Sequence, residues 1–230
     1  MSKSKVAIVT GHTSGLGLAL MRELAPKGWQ LVGVSRGKQH SGDTYTRLPD
    51  IKTVRGSVAD PRVIDEAFRV ASNIGELLLV VNCAGSAQFG QAGDSTAHQI
   101  IETINANFTG LTLFTNKAIE VMSDKPGTIV NVMSTAAKRL PHGQAIYAAS
   151  KWGAKAYTRA VQRELEARGS SIRIVQVYPC GMRTEFWNGM DPSQLPDFDD
   201  YAKPSDIAHA IVNTVLPRTH PYIAELVFHR

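Results

Sequence analysis

Apolar residues along this chain keep two rhythms. Short continuous runs read as buried strands: 5–11 (KVAIVTG), 30–36 (QLVGVSR), 51–56 (IKTVRG), 76–85 (ELLLVVNCAG), 127–134 (GTIVNVMS), 171–179 (SIRIVQVYP) and 222–229 (YIAELVFH). Between them, apolar positions recur three and four apart, the period of an amphipathic helix, over 17–28, 60–73, 95–122, 144–169 and 203–216. The punctuation agrees. Pro26 and Gly28 stop the first helix, and Asp60 followed by Pro61 opens the second as N-cap and first helical residue. Residues 36–50 are poor in apolar side chains, so no full helix is expected between the second and third strands. Strand–helix alternation with continuous apolar strands predicts an α/β fold: a doubly wound parallel sheet of about seven strands with helices on both faces. Ligands should then sit outside the carboxyl ends of the strands.

Composition narrows the class further. With 230 residues, 43% hydrophobic and 20% charged, the chain suits one folded domain spanning 1–230. No apolar run approaches the roughly 20 residues of a membrane span. The opening MSKSKVAIVTG runs straight into a strand without a signal-peptide core, so a cytoplasmic protein is expected. Two cysteines, Cys83 and Cys180, form no disulfide framework, and the scattered histidines offer no metal-ligand spacing. The net charge of +5 is dispersed, with no basic stripe and interleaved aromatics for nucleic acid. A basic surface around an anionic small ligand accounts for it as well.

The candidate chemistry begins right after the first strand, at VTGHTSGLG. Gly11 permits the tight turn, Gly15 lets the backbone approach a pyrophosphate at the helix N-terminus, and Gly17 allows close helix–sheet packing. A glycine loop alone is weak evidence, but its place between a strand and a helix points to a dinucleotide-binding, Rossmann-type fold. Thr13, Ser14 and Leu16 belong to the same turn. The spacing is G-x-x-x-G-x-G, and further motifs follow in order: NCAG (82–85), Asn107 in NFTG, Ser134 in NVMST, Tyr147 and Lys151 in YAASK, and PCGMRT (179–184). In this set and order the chain resembles the short-chain dehydrogenase/reductase family over essentially its whole length.

The resemblance implies an oxidoreductase that moves a hydride between a nicotinamide and a carbonyl or alcohol substrate. It assigns Asn107, Ser134, Tyr147 and Lys151 as the catalytic set. Tyr147 is the general acid/base, Ser134 holds the substrate oxygen, Lys151 holds the nicotinamide ribose, and Asn107 anchors a water that relays protons to Lys151. Tyr147 and Lys151 stand four apart, so a helix shows them on one face. A neighbouring ammonium is expected to lower the tyrosine pKa from about 10 toward working pH. Asn105 is the rival for the helix asparagine, and the NFTG context favours Asn107.

For the cofactor, no Asp or Glu occurs between Glu23 and Asp43, where an NAD site would want a carboxylate after the second strand. Ser35 and Arg36 stand there instead, and a guanidinium suits a 2′-phosphate, with Lys38 as a possible helper. NADP(H) is therefore expected in preference to NAD(H). By the same resemblance, Ser57 and Val58 are expected near the adenine, Asn82, Ala84 and Gly85 near the adenosine ribose, and Pro179, Gly181, Met182 and Thr184 at the nicotinamide. Tyr147 and Lys151 touch the cofactor too. Cys83 reads as a packed thiol, and Cys180 stands where the family usually has glycine.

Residues 183–203 form the expected substrate loop, with Phe186, Trp187 and Met190 as apolar candidates. Stretches 87–90 and 139–143 form the other walls, with Arg139, His142, Gln144 and Arg183 as polar candidates. The two long helices imply a homodimer or homotetramer, as in the family. The alternative reading is a non-catalytic NADP-binding redox sensor or scaffold protein, which would tolerate loss of Ser134 or Tyr147.

Overall fold

The computed structural model describes residues 3–37, 51–123, 125–188, 195, 197–216 and 221–229. Seven parallel strands form one sheet: β1 (Lys5–Thr10), β2 (Gln30–Ser35), β3 (Lys52–Arg55), β4 (Glu76–Asn82), β5 (Gly127–Val132), β6 (Ile172–Tyr178) and β7 (Glu225–Val227). Their spatial order is β3-β2-β1-β4-β5-β6-β7. The chain winds outward from β1 through β2 to β3, then returns to lay β4 on the other side of β1. That reversal opens a crevice above the carboxyl ends of β1 and β4, the place where doubly wound sheets bind ligands.

The expected strands and helices are all present, with shifted ends. β4 stops at Asn82 and β7 is only three residues long. The question of a helix within 36–50 falls mostly on 38–50, outside the described residues, as do Lys38 and Met190. Helices α1 (Gly15–Leu24) and α6 (Pro204–Val215) cover one sheet face, where Leu20, Met21, Leu24, Ile207 and Ile211 pack on Val9, Val81 and Val177. Helix α2 (Pro61–Ile74) covers the other face with α4 (Gly110–Met122) and α5 (Ala145–Ala167), through Phe68, Phe114 and Leu165. Asp60 caps α2 by accepting from the Arg62 N–H at 2.9 Å, with Pro61 first in the helix.

The helix expected over 95–122 is interrupted. Thr96 and Gln99 cap α3 (Ala97–Ile104) reciprocally, a π-helical turn occupies Asn105–Thr109, and α4 resumes at Gly110. One widened turn shifts the ladder and turns Asn107 inward. Gly110 is required just beyond it, because a Cβ there would stand 2.4 Å from the Val58 side chain.

A buried polar ladder ties sheet to helices beneath the crevice. The Asn82 amide donates to Asn131 Oδ1 at 2.8 Å and to Thr115 Oγ1 at 3.1 Å, and Asn131 donates to Thr158 Oγ1 at 2.9 Å. These bonds fasten β4 and β5 to α4 and α5 where hydrophobic packing alone would let the helices slide.

Candidate active site

A cleft of about 700 Å³ lies over the carboxyl ends of the central strands. Its floor at β1 is built by close backbone approach. Thr10 Oγ1 accepts from both the Cys83 and Ala84 amides at 3.0 Å, clasping the end of β1 to the end of β4. Gly11 has φ +70°, and a Cβ on it would stand 2.8 Å from Ala84 Cα. A Cβ on Gly17 would meet the Gly11 carbonyl oxygen at 2.2 Å, so the first turn of α1 sits directly on the loop.

The expected cofactor residues Gly11, Thr13, Ser14, Gly15, Leu16, Gly17, Ser35, Arg36, Ser57, Val58, Ala84, Gly85, Pro179, Gly181, Met182 and Thr184 all line this one cleft, with Ser134, Tyr147 and Lys151. Asn82 does not. It is buried and its amide is spent in the polar ladder, because β4 ends with that side chain pointing into the core. Asn107 is also withdrawn from the wall, while its rival Asn105 lines it. Asn107 Oδ1 accepts from the Ser86 N–H at 2.9 Å, and its amide donates to Ser86 O at 2.8 Å and to Ser150 Oγ at 2.9 Å. It therefore joins the β4 exit to α5. His142 and Arg183 stand outside the cleft wall, whereas Arg139 and Gln144 lie on it.

Ser134 follows β5, where its hydroxyl accepts from the Ala136 N–H at 3.1 Å and lies in hydrogen-bonding reach of the Tyr147 hydroxyl. Lys151 is one helical turn beyond Tyr147 on α5, and its ammonium donates to the Val132 carbonyl at 3.0 Å. Its Nζ lies 5.9 Å from the Tyr147 ring centre. The electrostatics differ from the sequence expectation. Burial pushes the Tyr147 phenol up to about 12, against the pull of Ser134. Burial also brings Lys151 down to about 8. Desolvation, which sequence spacing does not show, outweighs the attraction of the ammonium for a phenolate. Cys83 is likewise held as a neutral thiol, pushed up to about 12 by burial.

The chain's donors fit a dinucleotide. Ser14 is the N-cap of α1 yet makes no side-chain capping bond, and the first turn of α1 carries no acidic residue, which suits an anion at that helix end. A Cβ on Gly85 would stand 2.9 Å from Asn107 Oδ1 and 3.7 Å from Lys151 Nζ, so the glycine keeps open a polar gap between the two.

Over Tyr147 stand the aromatic rings of the substrate side. Phe186 meets Tyr147 edge-on at 5.5 Å, Phe89 stacks on Trp187 at 5.4 Å, and Tyr201 meets Trp187 at 5.6 Å. Tyr201 lies within the expected substrate loop 183–203 but was not singled out there. It is placed by the Met182–Ala202 bridge, and its ring packs where a Cβ on Gly181 would be. Glu102 was also missed. It lines the cleft from α3 and forms an ion pair with Arg36.

The model of the short chain dehydrogenase family matches residues 5–194. The chain is 30% identical to an acetoacetyl-CoA reductase of Paracoccus denitrificans, covering 91% of this chain and 89% of that protein. It is 31% identical to a farnesol dehydrogenase of Aedes aegypti, covering 79% and 78%. The fold is similar to an alcohol dehydrogenase of Thermococcus sibiricus complexed with 5-hydroxy-NADP, with a TM-score of 0.84, 23% identity, and 97% and 95% of the two chains covered. The chain belongs to the short-chain dehydrogenase family and is an oxidoreductase of small molecules. These findings do not favour a non-catalytic sensor or scaffold.

Proposed function

We propose that the chain is an NADP(H)-dependent reductase of a carbonyl compound with an apolar body, with Tyr147 as the proton donor. The observation that carries this is the meeting of Ser134, Tyr147 and Lys151 in the cleft that also holds the glycine loop and Arg36. When bound, the nicotinamide supplies the hydride, and moving a proton to the substrate oxygen falls to the chain.

Tyr147, kept as a phenol by burial, has the proton to give. The Ser134 hydroxyl, already beside the phenol, receives the same oxygen as negative charge develops on it. Lys151, charged below about pH 8, favours the phenolate left behind and holds ribose hydroxyls. Asn107 Oδ1 faces the polar gap at Gly85 and anchors the water that returns a proton toward Lys151. The rest of the cleft positions the cofactor: the glycine loop with Ser14 the pyrophosphate, Arg36 the 2′-phosphate, Ser57 and Val58 the adenine, Ala84 and Gly85 the ribose. Pro179, Gly181, Met182 and Thr184 take the carboxamide side. Asn82 contributes by holding the end of β4.

Phe186, Trp187 and Tyr201 line the cleft beside Tyr147, with Phe89 stacked on Trp187 behind them, which suits a hydrophobic ketone, aldehyde or acyl thioester. An NADPH-oxidation screen across such compounds tests this. Turnover on at least one, abolished in Tyr147→Phe with NADPH affinity kept, is the expected result. Turnover within a few-fold of wild type in Tyr147→Phe refutes the assigned acid.

The reading includes a homodimer or homotetramer formed through α3, α4 and α5. Ile101 on α3 and Trp152 on α5 are large apolar residues left 57% and 41% exposed. Light scattering after size exclusion should give at least twice the 25.0 kDa chain mass.

A further inference from the structure

The adenosine end of the cleft has two rims. One is the exit of β2, where Arg36 stands, and the other is the middle of α3, where Glu102 stands. Both residues line the cleft, and their side chains form an ion pair across it although they lie 66 residues apart. Some other ion pairs among the described residues are local, such as Arg62 with Asp60 and Arg69 with Glu66, while others, such as Arg159 with Glu225, also join distant segments. The Arg36 backbone is held in place: its carbonyl accepts from Arg55 Nε at 3.3 Å, and Ser35 O accepts from the Gly56 amide at 2.9 Å. The backbone is fixed, so the guanidinium chooses its partner by side-chain rotation. Glu102 is 39% exposed and Arg36 is 60% exposed at the side chain, so an anion can reach both from solvent.

We propose that Glu102 is a positioning residue that sets the dinucleotide preference, by engaging Arg36 in an ion pair that a 2′-phosphate must displace. The inference rests on the NADP(H) reading of Arg36 given above. A 2′-phosphate entering this rim meets a guanidinium already paired and a carboxylate of its own sign. An unphosphorylated ribose meets neither penalty. The pair therefore narrows the difference between the two dinucleotides that a free arginine would create. Glu102 acts through Arg36, and its removal should change preference with the fold intact.

The test measures dissociation constants by fluorescence titration for NADPH and NADH, and by calorimetry for adenosine 2′,5′-bisphosphate and adenosine 5′-monophosphate. The proteins are wild type, Glu102→Gln, Arg36→Ala and the double variant. Glu102→Gln should tighten NADPH and the bisphosphate by about two- to fivefold, the range of a partly exposed charge interaction. NADH and the monophosphate should be unchanged. The gain should shrink at 1 M salt, where the screening length falls to about 3 Å. In the Arg36→Ala background it should fall to the smaller part that comes from repulsion by the carboxylate itself.

An unchanged NADPH to NADH ratio in Glu102→Gln overturns the proposal, as does an equal gain in the Arg36→Ala background. If Arg36→Ala weakens NADPH at least tenfold while Glu102→Gln does nothing, the NADP(H) reading stands and only the role of Glu102 fails. If Arg36→Ala leaves NADPH affinity unaltered, the reading of Arg36 fails and the proposal falls with it.

Discussion

Gly33→Ala tests how the glycine loop is seated on the sheet. Gly33 lies inside β2, where alanine in place of glycine ordinarily stabilises by about 0.4–1 kcal/mol through the unfolded chain. Here the sign should reverse. A Cβ at Gly33 would stand 2.4 Å from Cδ2, 2.5 Å from Cγ and 2.7 Å from Nδ1 of His12, against 3.4–4 Å for ordinary contact. The imidazole must move by about 1 Å, and it has nowhere to go. His12 is 0% exposed, its ring bonds to the Val34 backbone, and its neighbour Gly11 is pinned by a 2.8 Å bond to the Val34 carbonyl. Overpacking of this kind costs about 1–3 kcal/mol. At about 2 kcal/mol the melting temperature should fall by roughly 4–8 °C for a chain of this size. Dinucleotide affinity should fall with it, because the displaced loop carries Gly11 to Gly17. Urea unfolding and thermal scans read the first effect, and a fluorescence titration with NADPH reads the second. His12→Ala is the companion variant: in its background Gly33→Ala should become neutral or stabilising. A stabilising Gly33→Ala in the wild-type chain, or the same cost with and without the His12 ring, refutes the reasoning.

Three further outcomes follow from the same geometry. Asn131→Ala removes the centre of the buried ladder and takes one of the two acceptors of the Asn82 amide and the donor to Thr158 Oγ1, so urea unfolding should show a loss of about 1–3 kcal/mol. Gly85→Ala places a methyl 2.9 Å from Asn107 Oδ1, and should cut turnover at least tenfold while the melting temperature moves by only a few degrees; unchanged turnover would show that the gap has no role. Lys151 has its folded pKa lowered from 10.5 to about 8 by burial, so the unfolded chain binds the extra proton between those values. Its contribution to stability is therefore full above about pH 10.5 and is lost as pH falls through about 8. Tyr147, raised from 10.0 to about 12, contributes the opposite trend above pH 10. Stability should rise from about pH 8 to 9 in wild type, before the Cys83 thiol, raised from 9.0 to about 12, offsets the gain, and that rise should be lost in Lys151→Met.

Much of the fold was legible because its signals are local and repeated. Buried parallel strands are continuous apolar runs, and the Asp60–Pro61 and Pro26–Gly28 punctuation marks ends that any reading of the sequence reaches. The π turn at Asn105–Thr109 was not legible, because apolar spacing passes through it with little change and only the packing of Asn107 on Ser86 and Ser150 demands it. Motif residues on loops and on α5 were found and arrive in one cleft. Asn82 was misplaced because a motif gives a position and not a side-chain direction: alternation along β4 sends it to the core. Glu102 and Tyr201 lay beyond reach, since each acquires meaning from a partner distant in sequence, Arg36 in one case and the Gly181 backbone in the other.

Burial, and not their spacing, sets the protonation states of Tyr147 and Lys151. A low-dielectric wall disfavours both charges, so it raises the phenol and lowers the ammonium together. At neutral pH this leaves Tyr147 protonated while Lys151, near 8, keeps most of its charge. A protonated phenol beside a charged lysine is the state needed to give a proton away, and the Ser134 hydroxyl already stands at the phenol to meet the accepting oxygen. Running the reaction toward oxidation requires the phenolate first, against the same desolvation. The aromatic rings of Phe186 and Trp187 pack beside the phenol and help exclude the water that would favour its ionised form. Replacing Phe186 with a small polar residue should wet Tyr147, lower its pKa and move the pH profile of the oxidation reaction toward lower pH. A pH profile in Phe186→Ser that coincides with that of wild type would overturn the link.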